Sequence, residues 1–210
     1  MSSADTMKPT ETELARPINI VMVQDVFQVG DIKNNADKII AASIQGYKQG
    51  ADLVVFPELA LVGYPPEDLL HRQGFLRQAK NECLRIQQSL KECIADTGVV
   101  FGLPYEHADG LYNAALYLNQ GIIRKFYFKQ SLPNYSVFDE LRYFSAGRES
   151  GIIDVKGHKI GLLICEDVWQ PACVKQSKDD GARAIIVLND SPYHIDKHSE
   201  RIQIMQKHAR

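Results

Sequence analysis

A layered α/β fold follows from three features of this 210-residue sequence. Segments with helical apolar spacing alternate with short β-branched runs, several such runs follow one another with no helix between, and the apolar runs end abruptly in polar or ionisable residues. Residues 1–16, rich in Ser, Thr, Glu and Pro, are expected to be a flexible leader, with Met7 as a possible second start. Order is expected from Pro17. Ile18 to Gln24 then reads as a strand. Ile32, Ala36, Ile39, Ile40, Ser43, Ile44 and Tyr47 recur at helical spacing until Gly50 stops the helix.

Leu53 to Phe56 is the next apolar run, closed by Pro57-Glu58. Gly63-Tyr64-Pro65-Pro66 must be a loop, because each proline removes a donor and restricts the residue before it. A second amphipathic helix carries Phe75, Ala79, Cys83, Ile86, Leu90 and Ile94 on one face and ends at Thr97-Gly98. Val99 to Pro104, Tyr112 to Leu118 and Ile122 to Lys129 read as strands, the last two joined by an Asn119-Gln120-Gly121 turn. Gly151 to Val155, a Lys156-Gly157-His158 turn and the run Lys159 to Ile164 form another pair. A short helix near Ala172 to Asp179, a strand at Ala184 to Leu188 and a helix from about Lys197 complete the chain.

Composition narrows the class of protein. With 45% hydrophobic and 24% charged residues, the chain resembles an ordinary soluble globular domain. A net charge of −2 without a lysine and arginine run gives no footprint for nucleic acid or an anionic membrane. No apolar stretch reaches the roughly 18–20 residues that span a bilayer, and the start lacks the basic and apolar regions of a secretion signal, so a cytoplasmic protein is expected. The four cysteines, at 83, 93, 165 and 173, have neither Cys-x-x-Cys nor zinc-type His spacing. They read as reduced thiols, and no metal site is expected.

Cys165 stands where a buried strand delivers a thiol into the polar turn Glu166-Asp167. Glu58 and Lys129 stand at two other strand ends. Taken singly, Cys165 also reads as a small packed hydrophobe, Glu58 as a solvated loop carboxylate and Lys129 as a surface lysine. Together the three supply a nucleophile, a proton acceptor and a cation, which is the equipment for acyl transfer.

Phe56-Pro57-Glu58, Lys129 within Lys-x-x-Leu-Pro, and Cys165-Glu166-Asp167 resemble the Glu-Lys-Cys signature of the nitrilase superfamily of carbon–nitrogen hydrolases. Further blocks narrow the resemblance: Gly63 to Leu70, Leu132 to Glu140, Arg142-Tyr143-Phe144, Cys165 to Trp169 and Asn189 to Tyr193 are similar to the glutaminase domain of glutamine-dependent NAD synthetases. The resemblance runs from about residue 18 to the end of the chain. It implies an α-β-β-α sandwich over residues 17–210, incomplete at the C-terminus, because such domains continue with further strands past the segment matching Tyr193 to Arg210. It also implies glutamine as substrate and a synthetase domain, absent from this chain, that receives ammonia. No cofactor is implied here, ATP and Mg being expected only in that domain, and a homo-oligomer is implied for the full-length protein.

The same resemblance assigns roles. Glu58, Lys129 and Cys165 are the catalytic residues. The backbone N–H of Glu166 completes an oxyanion hole, Glu140 orients Lys129, and Tyr64, Tyr135, Trp169 and Ser191 stand where the family lines its amide substrate. Trp169 also reads as a packed aromatic, Tyr64 and Tyr135 as loop anchors, Glu140 as an ion-pair partner and Ser191 as a turn former. Two other functions fit the motifs less closely: a free-standing amidase or nitrile hydrolase, and a non-catalytic fragment that keeps the motifs without a closed fold.

Overall fold

The computed structural model describes residues 16–107, 109–135, 138–191, 195 and 197–209. The leader expected at residues 1–16 falls outside the described residues except for Arg16, which is exposed. Eight strands and four helices follow in the order β1 (Ile20–Met22), α1 (Ile32–Lys48), β2 (Leu53–Val55), α2 (Gln73–Cys93), β3 (Gly98–His107), β4 (Gly110–Asn119), β5 (Ile122–Phe128), β6 (Gly151–Val155), β7 (His158–Ile164), α3 (Pro171–Asp179), β8 (Ala184–Leu188) and α4 (Lys197–His208). Short 3-10 turns occupy Glu67–His71, Glu140–Arg142 and Cys165–Trp169.

The strands form two sheets, β1-β2-β3-β4-β5 and β6-β7-β8. β1, β2 and β3 run parallel, β4 reverses and β5 reverses again, while β7 and β8 are parallel. The carboxyl ends of β2 and β5 therefore point the same way. Both short hairpins turn on two residues of positive φ, Gln120-Gly121 and Lys156-Gly157, the geometry that matches strand twist.

Side-chain alternation builds the layers. Val54, Phe56, Val99, Phe101, Ala114 and Leu116 face outward onto Ile32, Ala36 and Ile39 of α1 and Leu76, Ala79, Cys83 and Ile86 of α2. Leu53, Val55, Val100, Ala115, Tyr117 and Tyr127 point the other way, against Ile153, Val155, Ile160, Leu162 and Ile164 of the second sheet. On the far face of that sheet Ser177 of α3 sits over Gly161, and Met205 of α4 packs on the same core. The arrangement is a layered helix, sheet, sheet, helix sandwich. Two expectations fail in detail: the strand expected from Ile18 to Gln24 is confined to Ile20–Met22, and Tyr47, placed by periodicity on the buried face of α1, is exposed, with Gly46 instead approaching Val54. The side chain that periodicity wanted at the end of the helix has no room against β2.

Candidate active site

Three strand ends converge at one edge of the sandwich. The chain leaves β2 through Pro57, and Leu59 adopts φ +50 so that Glu58 points inward; it is completely buried. This loop lies directly on β3, where Gly102 donates to the Pro57 carbonyl at 3.3 Å and accepts from Leu61 N–H at 3.1 Å. A Cβ at Gly102 would stand 2.2 Å from the Leu59 nitrogen, so glycine is required for this close approach.

Lys129 follows β5, and its N–H donates to the Asn113 carbonyl at 2.9 Å. Its ammonium, also completely buried, donates to Glu58 Oε1 at 2.7 Å and Glu140 Oε1 at 2.8 Å. Glu140 is brought in by its 3-10 turn, whose first N–H donates to the Pro133 carbonyl at 3.1 Å. Tyr64 caps the cluster, donating to Glu140 Oε1 at 3.2 Å. Asn113 Nδ2 donates to Glu58 Oε1 at 2.8 Å. Glu58 Oε2 and Glu140 Oε2 are buried and accept no hydrogen bond from the described residues. Of its two oxygens, then, Glu58 commits one to being held in place and keeps the other free.

Cys165 ends β7 with φ +43 and opens the 3-10 turn to Trp169. Left-handed backbone at a residue with a side chain costs on the order of 1–3 kcal/mol and persists only where surrounding structure enforces it. The thiol, 6% exposed, lies 3.3 Å from Ser191 Oγ beyond the end of β8. Burial, reinforced by the negative charge of Glu58, pushes the thiol up to about 12, against the pull of Lys129 and the Ser191 hydrogen bond. At neutral pH the resting group is the neutral thiol.

Burial works against the Lys129 cation, but Glu58 and then Glu140 outweigh it and hold its pKa above the ordinary lysine value. Burial pushes Glu140 up, Lys129 opposes, and repulsion from Glu58 adds to the rise. One ammonium thus serves two carboxylates in a dry site, and both depend on it for their compensation.

The other sequence candidates fall around this cluster. Tyr135 donates to Glu166 Oε2 at 2.9 Å across the mouth of the site, its side chain half-exposed. A cavity of about 480 Å³ opens there, lined by Ser131, Pro133, Tyr135, Glu166, Gln170 and Cys173. A second, of about 250 Å³, lies on the opposite side and reaches Tyr64 and Glu140. A cleft of similar size to the first, between Asp52 and Lys156, lies at the other end of the strands and contains none of these groups. Trp169 stands apart: it packs partly buried on the inter-sheet core, with Lys197 Nζ 4.3 Å over its ring. Sequence reasoning missed Asn113, although a lone amide inside the apolar run Tyr112 to Leu118 was a usable signal.

The cluster can be set beside known proteins. The sequence model of the family described as "Carbon-nitrogen hydrolase" matches residues 19–209. The glutamine-dependent NAD(+) synthetase of Aquifex aeolicus is 41% identical over 193 residues, which cover 91% of this chain and 33% of the relative. The enzyme of the same name from Acinetobacter baylyi is 39% identical, covering 90% of this chain and 34% of its own length. The chain therefore spans about a third of the length of the curated relatives it matches. Among solved structures, a glutamine-dependent NAD+ synthetase from Acinetobacter baumannii superimposes with TM-score 0.82 at 38% identity, over 90% of this chain and 35% of that one. An amidase of the nitrilase superfamily from Nesterenkonia shares the fold at TM-score 0.80 and 22% identity, over 91% of this chain and 71% of its own.

Proposed function

The chain belongs to the carbon-nitrogen hydrolase family, and on that premise we propose that it hydrolyses the side-chain amide of glutamine and supplies the ammonia to an NAD synthetase. The observation that carries the proposal is Lys129, buried between Glu58 and Glu140 and electrostatically coupled to the Cys165 thiol. The relatives' names point to glutamine among carboxamides.

With its pKa near 12 the thiol must lose its proton as it attacks, and Glu58 Oε2 is the acceptor left free for it. The S–C bond forms, the carbonyl electrons move to oxygen, and Lys129 stabilises the developing oxyanion. A donor of this kind contributes roughly 3–4 kcal/mol to the transition state. The C–N bond then breaks, and the proton on Glu58 passes to the departing nitrogen to give ammonia and a γ-glutamyl thioester. Water attacks next, giving its proton to Glu58. The C–S bond breaks, the thiolate recovers that proton, and glutamate leaves.

Under this reading Tyr135, Glu166 and Ser191 surround the substrate, Tyr64 acts through Glu140, and Trp169 supports the turn from behind. Any ATP and Mg chemistry would belong to a synthetase partner that takes up the ammonia. Four unpaired thiols suit a reducing, cytoplasmic setting. No helix among the described residues is long and apolar enough to cross a membrane. The direct test is to incubate the protein with glutamine and quantify glutamate and ammonia. Equimolar release that disappears in Cys165→Ala supports the proposal, whereas undiminished release by that variant overturns it.

A further inference from the structure

Asp167 follows Cys165 by two residues, is completely buried, and accepts four hydrogen bonds. Its Oδ1 takes the backbone N–H groups of Gln130 at 3.1 Å and Ser131 at 2.7 Å. Its Oδ2 takes the Ile164 N–H at 3.0 Å and the Tyr127 phenol at 2.8 Å. The donors bracket both reactive groups: Tyr127, Gln130 and Ser131 lie on either side of Lys129 in the chain, and Ile164 immediately precedes Cys165.

We propose that Asp167 is the positioning residue that fixes Lys129 of the first sheet against Cys165 of the second. It does not touch the substrate. The two groups arrive from separate sheets; packing of Tyr127 against β7 residues is apolar and so not directional, and the Tyr117–Asp154 and Lys156–Asp52 ties between the sheets lie at the opposite end of the strands. Four hydrogen bonds to one carboxylate are directional, and they fasten the end of β5 to the turn that follows β7.

The chemistry of the group explains why it must be a carboxylate. Two ionised oxygens offer about four lone-pair sites, and all four donors are accommodated. Asparagine has the same shape but presents an NH2 in place of one oxygen. That NH2 would face either the two N–H groups of Gln130 and Ser131 or the Ile164 N–H and the Tyr127 hydroxyl. In the second case the Tyr127 hydroxyl can turn to accept, so at the least the Ile164 N–H next to Cys165 loses its partner, without a change in side-chain size. Burial pushes the Asp167 carboxyl up, while the bonds from Ser131, Tyr127 and Ile164 draw it back, as expected of a buried carboxylate whose ionised form is held by donors.

The inference rests on the roles proposed for Lys129 and Cys165, so its test reads both turnover and thiol reactivity. Tyr127→Phe and Asp167→Asn would be assayed for glutamine kcat and KM, for thermal unfolding, and for alkylation of Cys165 by iodoacetamide, with the exposed Cys93 as internal reference. Misplacement of reacting groups by about an ångström costs on the order of a hundredfold, so Asp167→Asn should lower kcat by about that factor and Tyr127→Phe by about tenfold. KM should stay within about twofold, since the interaction lost acts in the transition state. The Cys165 to Cys93 alkylation ratio should fall in the same order. A folded variant with lowered thermal stability but wild-type kcat and wild-type alkylation ratio would reduce Asp167 to a structural tie and overturn the inference. Should Asp167→Asn fail to fold, Tyr127→Phe, which removes a single hydroxyl, decides alone. Should the wild-type protein not hydrolyse glutamine, the proposed function falls, and the alkylation ratio still decides this point.

Discussion

The two sheets are buried to different depths. In the first, β2 is buried throughout, β3 and β4 are buried along most of their length, and α1 and α2 seal the outer face with a continuous apolar core. In the second, β7 is buried from Ile160 to Ile164, but β8 runs from exposed Ala184 through partly buried Ile185, Ile186 and Val187 to buried Leu188, and α4 has no buried residue among those described. An open groove of about 520 Å³, lined by Val174, Ile185, Val187 and Met205, runs along its outer side. Glu58 thus leaves a fully buried strand and Lys129 the partly exposed edge strand β5, whereas Cys165 leaves β7, buried over its last five residues beside a less covered β8. The chemistry depends on how well the second sheet is registered against the first.

The largest expected break in this division of labour is chemical. Cys165→Ala should remove glutamine hydrolysis by on the order of ten-thousandfold or more, as loss of a covalent nucleophile does, measured as ammonia release. Thermal unfolding should change little, because only one sulfur atom is removed from the packing.

Lys129→Met should do both kinds of damage. Turnover should fall at least about a hundredfold with the oxyanion donor gone. Stability should drop by roughly 3–5 kcal/mol, because Glu58 and Glu140 would be left facing each other in a dry site with their common cation removed. Denaturant unfolding of the variant checks the second figure. Full stability would mean that one carboxylate is already neutral in the wild-type protein.

Much of this arrangement was legible in the sequence. Ile32–Lys48 and Gln73–Cys93 announce themselves by spacing, the two hairpin turns by Gln120-Gly121 and Lys156-Gly157, and the reactive strand ends by an ionisable residue after an apolar run. What stayed hidden depends on distance in space. Periodicity cannot reveal that Gly102 makes room for the Glu58 loop, that Asn113 holds one oxygen of Glu58, or that Asp167 reaches the far side of Lys129. Nor can it separate Trp169, which packs behind the turn, from Tyr135, which faces the cavity.

Core truncation sharpens the comparison of the sheets directly. Phe101→Ala, fully buried in the first sheet, should cost about 3–5 kcal/mol, whereas Ile186→Ala in half-buried β8 should cost nearer 1 kcal/mol. Equal losses in urea unfolding would show that the second sheet is sealed as firmly as the first.

A further effect concerns alkaline pH. The thiols of Cys83 and Cys165 are both raised from 9.0 to about 12, Cys83 by burial alone. The folded protein keeps these protons while the unfolded chain releases them. Stability from this source is complete below about pH 9 and is lost as pH rises towards 12. Cys83→Ala should flatten that decline at the cost of a small cavity, and an unchanged slope in unfolding experiments from pH 8 to about 11 would count against it.

The most direct measurement is mass spectrometry of the protein after treatment with a glutamine-mimicking diazoketone. A buried thiol activated by groups from the opposite sheet should take up one adduct, located at Cys165. Exposed Cys93 should remain free, and the labelling should slow in Lys129→Met. An adduct on Cys93 with Cys165 unmodified, in a protein that still hydrolyses glutamine, would contradict the account.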